Sequence, residues 1–156
     1  VEPVLTYLSL EDWSITEEPG EEEGIPSTIE NLFDMNLSTN WAPTTQATWR
    51  EHIITLSRAE KQTVRGIRLV QPSFATNGFV NSKLSPTVIK IQVSQNGIDW
   101  ENATYVEENT LGTTSREATI IYFPEPKDIL MIRFIFNDQV QSSSNMGVVV
   151  SEISLF

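Results

Sequence analysis

The chain has 156 residues, of which 10 are basic and 21 acidic, giving a formal charge of -11 at pH 7. That charge repels phosphate backbones and anionic lipid surfaces at long range, which argues against nucleic acid and membrane as partners. There is no cysteine, so disulfides, thiolate metal sites and cysteine nucleophiles are excluded, and no apolar run approaches the roughly 20 residues that span a bilayer.

The first strand candidate covers residues 5–15. An acidic stretch with Pro and Gly, 17–26, follows as a long loop, and its Glu21, Glu22 and Glu23 read as a solvated charge run. Residues 27–33 can hold one short helix, with Ser27 or Thr28 as cap and Glu30 near its third position. Residues 49–56 form the next strand candidate and contain His52, the chain's one histidine. Ile67 and Leu69 then alternate with Arg68, and Ile89, Ile91 and Val93 with Lys90, Gln92 and Ser94, which is the period of a strand with one wet face.

Between those two strands, 71–86 is a polar loop with Phe74 and Phe79 interspersed. Gln95-Asn96-Gly97 supplies the positive φ of a tight turn. Ala118, Ile120 and Tyr122 alternate with Thr119, and Pro124 with Pro126 is expected to break the strand at Phe123. Leu130, Ile132, Phe134 and Phe136 lie opposite Met131, Arg133 and Ile135, so both faces are apolar and the strand belongs in the middle of a sheet. A Ser- and Asn-rich loop, 137–147, precedes a closing strand at 148–156. Short strands with turns between them make an all-β sandwich or jelly roll in a single domain, 1–156.

Residues 31–41 place a carboxylate, amides and hydroxyls just ahead of Trp41. Hard oxygen donors at this density suit calcium, while an Asx-rich turn bonding its own backbone fits the same residues.

The pattern Asp34-x-Asn36-x-x-Thr39-x-Trp41, then Val64-x-Gly66-Ile67-x-Leu69, then Ile89-x-Ile91-x-Val93-Ser94-x-x-Gly97-x-x-Trp100 resembles the discoidin or coagulation factor 5/8 type C superfamily. Arg133-Phe134 and Ser151-Glu152-Ile153 are similar to its closing pattern, so the resemblance covers nearly the whole chain. It implies a galactose-binding-like jelly roll of about eight antiparallel strands. It also implies a structural Ca²⁺ held by the carboxylates of Asp34 and Glu152, by Thr39, and by the carbonyls of Asn31, Asn36 and Ser151. Met35 departs from the Gly usual between Asp and Asn, and Thr55 and Ser57 from an Asp-Leu-Gly strand end. The lack of cysteine makes the chain more similar to bacterial carbohydrate-binding modules than to most animal discoidin domains.

In that superfamily, ligands bind at loops on one end of the sandwich. A sugar needs an aromatic platform for its C–H face and planar polar groups for its hydroxyls. Gln71, Phe74, Asn77, Phe79 and Asn81 of one loop and Asn145 of another supply that mixture; phenylalanines folded onto the core and asparagines in turns are the competing reading. Asn137, Asp138, Gln139 and Met146 flank the second loop, and Trp13, Trp41 and Trp100 are expected in the core.

No Gly-x-Ser-x-Gly or His-Glu-x-x-His motif occurs, so no catalytic residue is assigned and His52 reads as structural. The expectation is a non-catalytic, glycan-binding module of an exported bacterial protein, extracellular or at the cell surface. It would be monomeric and attached to other domains, at the C-terminal end of a larger chain because the sequence stops directly after a strand. A discoidin-type protein-adhesion domain is the alternative.

Overall fold

A computed structural model describes residues 4–19, 27–43, 50–74, 81–142 and 145–156. His52, Ile54 and Leu56 are buried while the side chains between them face outward, so alternation in the sequence becomes one inward and one outward face. That stretch opens β2 (Glu51–Val70), which β1 (Ser14–Glu18) flanks on one side, with Ser14 opposite Ser57 and Glu18 opposite Ile53. On the other side lies β6 (Ala118–Asn137), sandwiched in turn between β2 and β3 (Val88–Ser94), as the two apolar faces of residues 130–136 require. The short strands β4 (Glu101–Asn102) and β5 (Asn109–Thr110) pair with opposite ends of β3.

β2 and β6 are each 20 residues long, and their shared ladder shifts register between Ser57 and Gln62 and again between Val64 and Gly66. There the pair passes from one layer to the other. The second layer gains β9 (Glu152–Leu155), which pairs antiparallel with residues 67–70 of β2. Ile54, Leu56, Ile91 and Phe134 from the first layer and Leu69, Ile153 and Leu155 from the second join one buried cluster. Each such side chain contributes roughly 1.5–3 kcal/mol by leaving water.

Gly66 sits where only a glycine fits. A Cβ there would run into the carbonyl oxygen of Ile121 and lie 2.6 Å from Cζ of Phe156, whose ring covers the strand. Gly97 has φ of 79°, as the tight turn after β3 demands.

Several expectations need correcting. β6 does not end at Phe123. It continues through Pro124 and Pro126, because the prolines fall in the register shift between Gly66↔Tyr122 and Val64↔Lys127, where no ladder N–H is required of them. The strand expected at 5–15 is confined to Ser14–Glu18: residue 8 makes a single backbone bond, from Leu8 N–H to Leu155 O, and Trp13 N–H closes a turn on Leu10. Residues 29–32 form a single 3₁₀ turn, Ile29–Leu32, in place of a longer helix; Ser27 Oγ accepts Ile29 N–H at 3.1 Å, as expected of a cap, and Thr28 makes no cap bond. Finally, 137–147 is not irregular but holds a hairpin of β7 (Gln139–Ser142) and β8 (Asn145–Gly147). No helix among the described residues is long and apolar enough to cross a membrane.

Candidate functional site

Because β2 bends in its middle, both of its ends return to the same end of the sandwich. Trp41 marks their meeting. Its ring stands edge-on to His52 near the start of β2, with centroids 5.7 Å apart, and its backbone exchanges hydrogen bonds with Val150 at 2.8 and 3.0 Å. The next residue, Ser151, donates its N–H to Val70 O at the far end of β2.

The described parts of the two segments expected to carry a ligand both lie here. A four-residue helix, α1 (Asn81–Leu84), closes the first loop and packs against β7, while Val149 N–H donates to Leu84 O at 2.9 Å. Phe74 is half-buried, its N–H held by Ser115 Oγ at 3.0 Å. The backbones of Asn81 and Asn145 lie in α1 and β8; their side chains, and all of Asn77, Phe79, Glu21, Glu22, Glu23 and Trp49, fall outside the described residues.

Gln71 is corrected. It is fully buried, and its Nε2 donates to Pro86 O and Gly112 O, both at 2.9 Å. Two inward-turned carbonyls needed a donor, so Gln71 braces the loop from beneath and does not reach a ligand. Asp138 is likewise buried: Oδ1 lies 2.5 Å from His52 Nε2 and Oδ2 accepts Arg50 N–H at 2.9 Å. His52 is therefore a buried strut between β2 and the β7–β8 hairpin.

Behind this end lies the second constellation, in the loop between the 3₁₀ turn and Trp41. Thr39 Oγ1 has one proton and three acceptors around it, Asp34 Oδ2 at 2.5 Å, Asn36 O at 2.9 Å and Asn31 O at 3.4 Å. Only one of the three can receive that proton, so four oxygens crowd together with too few hydrogens among them. Ser151 Oγ reaches Leu37 O at 3.0 Å and Thr39 O at 3.3 Å, tying the loop to the entry of β9.

Glu152 closes the group. It is 1% exposed, its Oε1 accepts Met35 N–H at 3.1 Å, and its Oε2 is buried with no hydrogen-bond partner. Burial pushes the carboxyl up to about 8, and the facing Asp34 carboxylate adds to the rise, against the opposing pull of Met35 N–H and Arg68. An orphaned carboxylate oxygen beside a second carboxylate and a knot of carbonyl and hydroxyl oxygens fits a hard cation. Among the described residues no three or more His, Cys, Asp or Glu gather, so any such ion would take its remaining ligands from backbone and hydroxyl. Met35 holds φ at 59°, so the loop keeps the left-handed turn that a Gly would make there, despite the departure in sequence.

Two features escaped the sequence. Glu17, expected in a long loop, lies in β1, where its carboxylate accepts Trp41 Nε1–H at 2.5 Å and Ser27 Oγ–H at 2.7 Å; its two-residue spacing from Ile15, which puts both on one face, was the available signal. Trp13 and Trp41 are buried as expected, but Trp100 is not a core residue. It lines an open cleft at the opposite end, with the Arg133 guanidinium 4.1 Å above its ring.

The F5/8 type C domain model matches residues 14–150. No curated protein sequence matches the chain. Among solved structures, the family 32 CBM of Clostridium perfringens NanJ in complex with galactose superposes with a TM-score of 0.70 at 16% identity, covering 96% of this chain and 97% of its own. CpGH89CBM32-5 from the same organism, in complex with GalNAc-β-1,3-galactose, gives 0.69 at 13%, covering 97% and 99%. An F5/8 type C domain from Bacteroides fragilis gives 0.69 at 15%, covering 96% and 94%. At these identities the likeness establishes the jelly-roll fold.

Proposed function

The chain belongs to the F5/8 type C domain family, and we propose that it is a non-catalytic carbohydrate-binding module of an exported bacterial protein, gripping glycan at the loop end of the sandwich. The observation that carries this is the packing of α1, which holds the backbone of Asn81, against β7 of the hairpin whose β8 holds the backbone of Asn145. Aromatic faces would stack on the apolar side of a pyranose while the amides meet its hydroxyls, the two surfaces a sugar presents at once. Related structures crystallised with galactose and with GalNAc-β-1,3-galactose support a saccharide as the ligand class.

Asp34, Glu152 and Thr39, with the carbonyls of Asn31, Asn36 and Ser151, would hold a structural calcium. That ion would supply the positive charge which two facing carboxylates lack, joining the loop to β9. Supporting this are the orphaned Glu152 Oε2 and the proton-poor cluster about Thr39.

A glycan array with calcium present tests the assignment, followed by calorimetry on a positive sugar. Phe74→Ala is expected to weaken binding by about tenfold or more, the loss of one stacking contact with its apolar area, and to leave Tm within about 1 °C of wild type, since Phe74 is half-buried on a loop. Blank arrays, together with unchanged capture of a protein partner by Phe74→Ala, would replace the sugar reading with protein adhesion.

A further inference from the structure

We infer that the cleft beside Trp100 is a second saccharide site, at the end of the sandwich opposite the loops; this rests on the carbohydrate reading above. The cleft has a volume of about 310 Å³ and is lined by Gln95, Asn96, Asp99, Trp100 and Glu101. It lies beyond the Ser94 end of β3, whereas Leu111 N–H meets Thr87 O next to the other end, where Gln71 braces the ligand loop. Seven residues of strand separate the two ends, about 20 Å at 3.3 Å per residue. A monosaccharide cannot span that gap, so the sites would bind independently.

The walls match a sugar on three counts. First, Trp100 offers a half-buried indole whose orientation is fixed: Arg133 lies over its ring, and Arg133 Nε–H donates to Gln92 Oε1 at 2.7 Å. A platform that is already immobile loses little entropy on binding. Second, the polar groups are held in place with acceptors left over. Asn96 Nδ2 donates to Asp99 Oδ2 at 2.8 Å, and Gln95 Nε2 reaches Glu101 Oε1 at 3.4 Å. Asn96 Oδ1 is saturated by the N–H groups of Ile98 and Asp99, both at 2.8 Å. Gln95 Oε1, Asp99 Oδ1 and Glu101 Oε2 remain as acceptors, the complement of hydroxyl donors on one edge of a pyranose.

Third, charge selects a neutral ligand. About the cleft, the carboxylates of Asp99, Glu101 and Glu125 outnumber Arg133 over the indole and Lys127, whose Nζ is shared between Glu101 at 3.5 Å and Glu125 at 3.4 Å. An uronate or sialate would set its carboxylate against those acids, inside a molecule of charge -11. The site would therefore take neutral hexopyranoses or N-acetylhexosamines and discriminate against acidic sugars.

The test is a ¹H–¹⁵N NMR titration of the whole chain with the methyl pyranosides of glucose, galactose, mannose, N-acetylglucosamine and N-acetylgalactosamine, with methyl glucuronoside as the acidic control. Trp100→Phe identifies the indole resonance. At least one neutral sugar is expected to shift the Trp100 Nε1–H and Gln95 side-chain signals saturably, and Asp99→Ala to weaken that response about tenfold, as loss of a hydrogen bond to a charged acceptor does. Asp99 is exposed at a turn, so this variant keeps the fold. Phe74→Ala should leave the Trp100 response intact. If sugars move only signals around Phe74 and the β7–β8 hairpin, this inference fails and the loop-end reading stands. A Trp100 response that never saturates, or that Asp99→Ala leaves alone, also overturns it. Silence everywhere overturns both.

Discussion

Replacing Glu152 by Gln separates a cation site from an ordinary buried glutamate. The side chain is 1% exposed, one oxygen has no partner, and Asp34 faces it. A bound calcium would stabilise the folded state by mass action, about 2.7 kcal/mol at a hundredfold excess over Kd. In a domain of this size 1 kcal/mol moves Tm by roughly 2–4 °C, so calcium should raise Tm by about 5–11 °C over chelator. Glu152→Gln keeps the shape but removes a ligand charge, and its calcium response should nearly vanish. In chelator above pH 7 the variant should melt no lower than wild type, because an amide does not ionise. The pH dependence adds an independent reading. Without metal the folded pKa stands at about 8 against 4.5 unfolded, so the unfolded chain releases this proton first. The group's contribution is intact below pH 4.5 and declines as pH rises toward 8, by up to about 1.4 kcal/mol per pH unit. With calcium the proton is already displaced and that decline disappears. Scanning calorimetry in calcium and in chelator, from pH 5 to 8, measures all of this. A wild type indifferent to chelator, or a Glu152→Gln variant that responds to calcium as wild type does, refutes the reasoning.

Gly66→Ala should cost about 1–3 kcal/mol in urea unfolding, because neither the Ile121 carbonyl nor the Phe156 ring has room to yield; wild-type stability would show that the strands part more easily than their packing implies. Met35→Gly relieves a left-handed residue and should raise stability by up to about 1 kcal/mol, measured the same way in calcium, with a loss of stability as the contrary result. His52→Ala removes the Nε2 partner of the buried Asp138 carboxylate, which keeps Arg50 N–H, and should lower stability by about 3 kcal/mol, whereas a change below about 1 kcal/mol would deny the pair its structural role.

Much of the layer structure was legible because it is periodic. Burial of Ile67, Leu69, Ile89, Ile91 and Val93, the central place of β6 and the left-handed Gly97 all follow from local pattern or turn chemistry. What failed depends on long-range pairing. Pro124 and Pro126 signal a strand end only until it is known that the ladder skips them, and that skip is a property of Gly66 and Val64 sixty residues away. Gln71 looked like a ligand contact because its neighbours are polar. Its burial is dictated by the carbonyls of Pro86 and Gly112, which the sequence does not place beside it. Trp100 sits in a family motif, yet it became a surface platform because Arg133 pairs with Gln92 across the sheet and caps its ring.

The oxygen-rich loop and the end of the sandwich that carries α1 are parts of one assembly, and Trp41 is the joint. The loop from Asp34 to Asn40 ends on a residue whose indole N–H is held by Glu17, whose ring packs on His52 and Phe136, and whose backbone pairs with Val150. One residue before Val150, Val149 holds Leu84 of α1; one residue after it, Ser151 holds both Val70 and the loop carbonyls of Leu37 and Thr39. A short run of backbone, 149–152, thus touches α1, the end of β2, the oxygen cluster and its carboxylate. Its residues are buried and hydrogen-bonded on several sides, so fixing Glu152 and Asp34 together also fixes the strut on which α1 is carried. The oxygen site can therefore set the placement of α1 from behind, through the backbone of 149–152.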